Sequence, residues 1–216
     1  TVILWAGLRD REDAISSQRT QSTMANLSIQ IKNTSDSQSN QLERFARSLG
    51  DRTDISADIW SADAATRLTA DYAEFGCVSL SLLDPLGRTS LIFPVAGNEG
   101  ARGFVHPSVA TRGNALESAR ASGAPVLSGY VNVHIPGANV DKGAVIYVPI
   151  LRGKQLVGFI GAEYSYQRLF GSAIAAVAQT QKLDTDYHIT IALGNETIFF
   201  RPAKDETRNE KLTIDR

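Results

Sequence analysis

From Arg9 to Leu49 the chain contains neither proline nor glycine, and Gly50 then stands where a C-cap glycine would close a helix. Few folds accommodate such a segment. At about 1.5 Å per residue, about 40 helical residues extend roughly 60 Å, longer than a compact domain of this size. Apolar residues fall at Leu8, Ile15, Met24, Leu27, Ile31, Leu42, Phe45 and Leu49, mostly in the three- and four-residue steps of one helix face. Between them lie Ser, Gln, Thr and Asn, as in Ser16–Thr23 and Ser35–Asn40. Such residues contribute little helix propensity, so the helix needs a packing partner along its apolar stripe. A stalk at residues 9–50, against which domains or a second subunit pack, meets that need. Two shorter helices broken near Ser35 are the alternative.

The stalk is preceded by an apolar stub, Thr1–Leu8, after which the chain turns sharply polar at Arg9–Asp13. A spanning helix needs about 20 apolar residues, so the stub is too short to cross a membrane. A signal peptide carries its charges before its apolar run, whereas here they follow. The stub at 1–8 therefore reads as the outer end of a transmembrane helix, with Trp5 of the kind that sits at a bilayer interface. An ordinary apolar helix start is the competing reading. At the other end, Lys211–Arg216 has strand-like alternation.

Charge limits the partners. Twenty-two Lys and Arg balance 23 Asp and Glu, a formal net charge of −1, without the basic excess of a nucleic-acid binder. With 43% hydrophobic and 21% charged residues, the composition is that of a globular protein. Cys77 is the sole cysteine, which excludes an internal disulfide and a Cys-based zinc site and leaves a small buried side chain as its simplest role.

After a helical stretch through Trp60, Ala64, Ala65, Leu68 and Tyr72, the texture becomes strand-like. Cys77–Leu83 and Thr89–Phe93 flank the turn Asp84–Gly87 and form a hairpin. A Gly-rich loop, Gly97–Gly103, leads to a helix from about Val109 to Ser122 that ends at Gly123. Pro125–Ile135, Gly143–Ile150 and Gln155–Glu163 then read as three strands joined by the turns Pro136-Gly137 and Arg152–Lys154. A hairpin, a helical crossover and a three-strand meander make a five-stranded antiparallel sheet with helices on one side, the topology of PAS-like sensors. Tyr164–Thr180 reads as a further helix, and Tyr187–Leu193 with Glu196–Phe200 as a hairpin too small to stand alone. With the Leu212–Ile214 strand and part of the long helix, that hairpin starts a second PAS-like unit. The expected fold class is α+β: a long N-terminal stalk helix with two PAS-like antiparallel-sheet subdomains at 51–170 and 171–216, the latter smaller and partial.

No constellation points to catalysis. His106, His134 and His188 lack the spacing and carboxylate companions of a metal site and read as solvated or hydrogen-bonded structural residues. The Gly97–Gly103 loop has no Gly-Lys-Ser/Thr completion, so it reads as a turn shaping the mouth of a pocket rather than a phosphate loop. Neither a nucleophile elbow nor a HExxH motif occurs. No catalytic residue, metal or cofactor is expected in this segment.

Three blocks, in order, carry a resemblance. The run Phe93–Phe104 (FPVAGNEGARGF), the run Ala119–Ser128 (ARASGAPVLS), and the strand pair Ala144–Ile150 with Leu156–Gly161 resemble the CHASE domain, the extracytoplasmic sensor of histidine kinases and cyclic-di-GMP enzymes. The likeness covers about 42–170, and Tyr187–Phe200 resembles the family's membrane-proximal hairpin. It implies a stalk helix, two stacked PAS-like subdomains, a ligand pocket in the distal one and a cytoplasmic kinase, diguanylate cyclase or phosphodiesterase output. Where family members read Gly-Phe-Asp or Leu-Asp, and plant cytokinin receptors use the Asp to bind adenine, this chain has Gly103-Phe104-Val105. A Val accepts no hydrogen bond from a purine, which argues against adenine-type recognition. The expected pocket residues are Val105, His106, Leu127, Tyr130, Asn132 and Tyr147.

The expectation is therefore a periplasmic ligand-sensing domain of an inner-membrane receptor. It binds an unknown small molecule, is anchored by flanking transmembrane helices, and dimerises through the N-terminal helix. A ligand-free structural or dimerisation module is the alternative, and an exported enzyme is a third reading that clustered carboxylates or His in a cleft would support.

Overall fold

A computed structural model describes residues 2–133, 140–181, 188–202 and 211–215. Its first element, α1 (Val2–Gly50), is one helix with no break near Ser35. Among the described residues, no helix is long and apolar enough to cross a membrane. The chain forms two compact units: Thr1–Asn33 with Ala173–Arg216, and Thr34–Ser172.

The larger unit is built on one antiparallel sheet of β1 (Cys77–Leu83), β2 (Thr89–Phe93), β3 (Val126–Leu127), β4 (Val131–Val133), β5 (Asp141–Arg152) and β6 (Gln155–Ser165). The order is β2-β1-β6-β5, with β3 and β4 both on the outer side of β5. The hairpin turn between β1 and β2 is held by Asp84, whose Oδ1 accepts from the N–H of Leu86 and of Arg88, both at 2.9 Å, with Gly87 in the left-handed region at φ 78°. The single strand expected at Pro125–Ile135 is two short ones. Leu127 pairs with Ile146 and Val131 with Gly143, so four steps on one side oppose three on the other. One extra residue bulges out, and Ser128 bridges the gap: its N–H donates to Val145 O at 2.8 Å and its Oγ accepts from Val145 N–H at 2.9 Å. His134 and the expected turn at Pro136-Gly137 lie outside the described residues.

Helices cover both faces of this sheet, not one. On one face, Leu42, Phe45, Ala46 and Leu49 of α1 and Trp60 and Ala64 of α2 (Ala57–Arg67) join Leu80, Ile146, Val148, Ile150, Ile160 and Ala162 in a single core. On the other, Ala115, Leu116 and Ala119 of α3 (Ala110–Ser122) pack with Leu83, Val145, Tyr147 and Phe159. Successive strand residues point to opposite faces, so Ile146 and Val148 serve one core while Val145 and Tyr147 serve the other. The reason is legible in β5, where eight consecutive residues from Gly143 to Ile150 are buried, a pattern that one-sided cover cannot produce. The buried stripe of α1 also includes Thr34 and, from the polar run Ser35–Asn40, Gln38, whose Oε1 accepts from the Tyr164 hydroxyl at 3.1 Å and so has a partner for an otherwise costly buried oxygen.

The smaller unit has its own sheet, with β7 (His188–Leu193) between β8 (Glu196–Arg201) and β9 (Lys211–Asp215). β7 and β8 form the expected hairpin and β9 runs parallel to β7. Its buried residues include Leu27 and Ile31 of α1, Ile174 and Val177 of α4 (Tyr166–Gln181), and Ile189, Ile191 and Phe199 of the sheet. His188 stacks on Phe200, ring centroids 6.4 Å apart. Tyr187 lies outside the described residues.

Candidate functional site

The α3 side of the large sheet is not filled to its end. Across the strands, Ser79 pairs with Glu163 and Ser81 with Gly161, and on the far side Val145 pairs with Glu163 and Tyr147 with Gly161. Gly161 is closed over by Leu83 and Tyr147, a Cβ there meeting Leu83 Cδ1 at 3.1 Å, whereas Ser81 and Glu163 border open space. A cavity of about 680 Å³ opens above them. It is lined by Ser81 and Glu163 of the sheet, Thr89 and Ile92 of β2, Val109, Thr111 and Arg112 at the start of α3, Tyr130, Val131 and Asn132 around β4, and the loop before α3.

That loop is fixed by backbone bonds to β2. Thr89 N–H donates to Phe104 O at 2.9 Å, Gly103 N–H to Thr89 O at 2.8 Å and His106 N–H to Gly87 O at 3.0 Å. The segment is extended at Val105 (φ −99°, ψ 98°), so its side chains alternate. Phe104 and His106 line the cavity, and Val105 is 37% exposed outside it. Gly97, Asn98, Gly100 and Ala101 form part of the rim, with Asn98 Nδ2 donating to Pro94 O at 3.0 Å.

A buried polar network forms the wall. Arg112 Nη1 meets Glu163 Oε1 at 2.7 Å, the two side chains 8% and 14% exposed, and Arg112 Nη2 donates to Asn132 O at 3.3 Å. Ser79 Oγ reaches Glu163 Oε2 at 3.4 Å. His106 stands between Tyr147, whose hydroxyl lies 2.7 Å from Nδ1, and Thr89, whose Oγ1 lies 3.0 Å from Nε2. Arg112 Nη1 also approaches Nδ1, at 3.4 Å. An arginine only donates, so Nδ1 is the acceptor of a neutral imidazole, the Tyr147 hydroxyl donates to it, and Nε2–H donates to Thr89. Burial and the neighbouring Arg112 charge lower the pKa of His106 to about 3. Burial raises that of the Tyr147 hydroxyl. For Arg112, burial disfavours the charge, but the Glu163 carboxylate and the Tyr147 oxygen outweigh it and hold the guanidinium ionised.

Three of the six residues expected at a pocket, His106, Tyr130 and Asn132, line this cavity. Tyr147 is fully buried behind the lining, with its hydroxyl against His106 and its oxygen beside Arg112. Leu127 is 57% exposed on β3 and faces a separate recess of about 30 Å³ with Ile146 and Tyr164. Val105 is displaced by the alternation just described. Reasoning from sequence overlooked Arg112, Glu163 and Thr89. The signal for Glu163 was present: a charged residue in phase with Phe159 and Gly161, directly after the uncharged run Leu156–Ala162. Among the described residues, no group of three or more His, Cys, Asp or Glu could hold a metal ion.

The sequence matches the CHASE domain family over residues 87–200. Among solved structures, the chain is similar to the ligand-binding domain of the Pseudomonas aeruginosa amino acid chemoreceptor PctC in complex with GABA, at 14% identity over 87% of this chain and 74% of that one, TM-score 0.53. The corresponding domain of PctB with L-Arg is similar at 15% identity over 91% of this chain and 68% of that one, TM-score 0.53. An extracellular ligand binding receptor from Desulfohalobium retbaense matches 74% of this chain at 15% identity and TM-score 0.53, and the chain spans about a quarter (26%) of its length. At these identities the likeness is one of fold. No curated protein sequence matches the chain.

Proposed function

Because this chain belongs to the CHASE domain family, matched over more than half its length, we propose that it is the extracytoplasmic ligand-sensing domain of a membrane signalling receptor and that its cavity holds a small molecule. The observation that carries this reading is the cavity itself: about 680 Å³, walled by apolar side chains and by a few fixed polar groups brought from β2, β6, α3 and β4. Tyr130, Asn132 and His106 contact the ligand in this reading, with Arg112, Glu163 and Thr89.

Occupancy becomes a signal through the elements that meet there. Arg112 ties the start of α3 to Glu163, and β6 continues directly into α4 at Tyr166. A ligand that binds better to one spacing of α3 and β6 than to another shifts the population toward it. In the intact receptor the domain is held between flanking membrane helices, pairs with a second copy through α1, and governs a cytoplasmic kinase, diguanylate cyclase or phosphodiesterase. A ligand-free spacer module is the competing reading. Phe104 and Tyr130 stand at the cavity without filling it, which supports the sensor.

A thermal-shift screen against amines, amino acids, carboxylates, purines and fatty acids tests the proposal. Ligand at about 100 times its dissociation constant stabilises the fold by roughly 2.7 kcal/mol. The expected result is a dose-dependent rise that Tyr130→Ala diminishes and Val105→Asp, outside the cavity, leaves unchanged. A flat screen on protein proved empty by mass spectrometry favours the spacer module.

A further inference from the structure

Arg112 and Glu163 are the only charged residues lining the cavity among the described residues. They are paired with each other, and His106 beside them is held neutral by its hydrogen bonds. The wall is therefore polar but carries no net charge. A ligand with a net charge would bring one uncompensated charge into a site where both ions are already nine-tenths or nearly so withdrawn from water, and that is costly.

The pair nevertheless has unused capacity of both signs. Arg112 has five N–H groups. Nη1 donates to Glu163 and approaches His106, Nη2 donates to the Asn132 carbonyl, and the Tyr147 oxygen lies beside the guanidinium, while Nε–H takes part in none of the Nη1 and Nη2 bonds and gives a carboxylate a charged donor to meet. Glu163 accepts a short bond on Oε1 and only a long one, 3.4 Å from Ser79, on Oε2, so its carboxylate has lone pairs to spare. A molecule that offers an anion to Arg112 and a cation to Glu163 at once completes an alternating set of four charges. Each buried ion then gains a second neighbour of opposite sign, and the net charge stays zero.

We infer that the cavity selects small zwitterions carrying a carboxylate and an ammonium group a few bonds apart, with Arg112 receiving the carboxylate and Glu163 the ammonium. The inference rests on the sensing role proposed above and narrows it to one ligand class. Ile92, Phe104, Val109 and Val131 offer an apolar wall to the remainder of the molecule.

The test uses the wild-type chain first. The twenty protein amino acids, β-alanine and 4-aminobutyrate are screened by thermal shift. For each that binds, titration calorimetry compares it with its des-amino acid and its decarboxylated amine, as in leucine, 4-methylpentanoate and 3-methylbutylamine. At least one zwitterion should bind, and each singly charged analogue should bind about tenfold or more weakly, the worth of one charged hydrogen-bond set. Glu163→Gln should weaken the zwitterion while narrowing its advantage over the des-amino acid. A silent zwitterion panel overturns the inference, as does an anion or an amine that binds as tightly as its parent. If the panel is silent but a purine, a fatty acid or another molecule of the broader screen binds in the cavity, the sensing role stands and the ligand class falls; silence in both removes both. If Glu163→Gln fails to fold, the wild-type comparisons decide alone.

Discussion

Arg112 and Glu163 stand 51 positions apart in the chain, and their side chains meet at 2.7 Å in the wall of the cavity. One comes from the first turn of α3 and the other from the end of β6, so the pair clamps a helix to the sheet at the point where the core gives way to empty space.

Removing one partner leaves the other charged and poorly solvated. Glu163→Ala and Arg112→Ala are each expected to lower stability by about 3–5 kcal/mol, whereas the double variant should lose clearly less than the sum. Urea denaturation of the four proteins measures this. Additive losses would mean that the two charges do not depend on each other.

His106 gives the fold a defined response to acid. Its pKa is about 3 in the folded chain against an unfolded value near 6.5. Between these values the unfolded chain binds a proton that the native one does not, so stability falls as the pH drops from about 6.5 toward 3, by at most about 1.4 kcal/mol per pH unit. The interval from pH 6.5 to 5 lies above most carboxylate titrations. There the slope of stability against pH should be markedly smaller for His106→Gln than for wild type, and equal slopes would show that the imidazole is not held neutral.

Phe45 joins α1 to the sheet. It is fully buried, stacks on Trp60 with ring centroids 5.7 Å apart, and lies 4.3 Å beneath the Arg67 guanidinium. Phe45→Ala should cost about 3–5 kcal/mol. Hydrogen exchange should protect amides of residues 34–50 as strongly as those of β5, because that part of α1 is core of the same unit. Exchange of this segment ahead of the sheet would contradict the packing.

Cys77 should be inert until the protein unfolds. It is 1% exposed, and burial raises its pKa above the ordinary thiol value. Labelling with a thiol reagent at pH 8 is expected to be on the order of 100-fold slower in the native chain than in urea. Rapid native labelling would indicate that the strand edge opens.

Part of the site is legible in the amino-acid sequence. The Gly-rich loop reads as the mouth of a pocket, and Gly97, Asn98, Gly100 and Ala101 line the cavity. The hairpin, α3 with its Gly123 terminus, and the two long strands lie within a few residues of their expected places, because proline, glycine and two-residue alternation are local signals. Val105 shows where such reading stops: family resemblance marks the position, but the backbone bonds of Thr89 and Gly103 set the phase of that segment, and the phase turns Val105 outward.

The sequence alone determined the elements and their order: a long breaker-free helix, a hairpin, a crossover helix and a meander, with a family likeness distributed along them. Only the tertiary structure decided that both faces of the sheet are covered, that Thr34 and Gln38 belong to the interior, and that Arg112, His106, Tyr147 and Glu163 converge. Local patterns follow from the chain's own periodicity. A buried ion pair has no periodicity, since it exists only when the register of one strand and the rotation of one helix bring two distant side chains together, and those are fixed by the packing of the whole core.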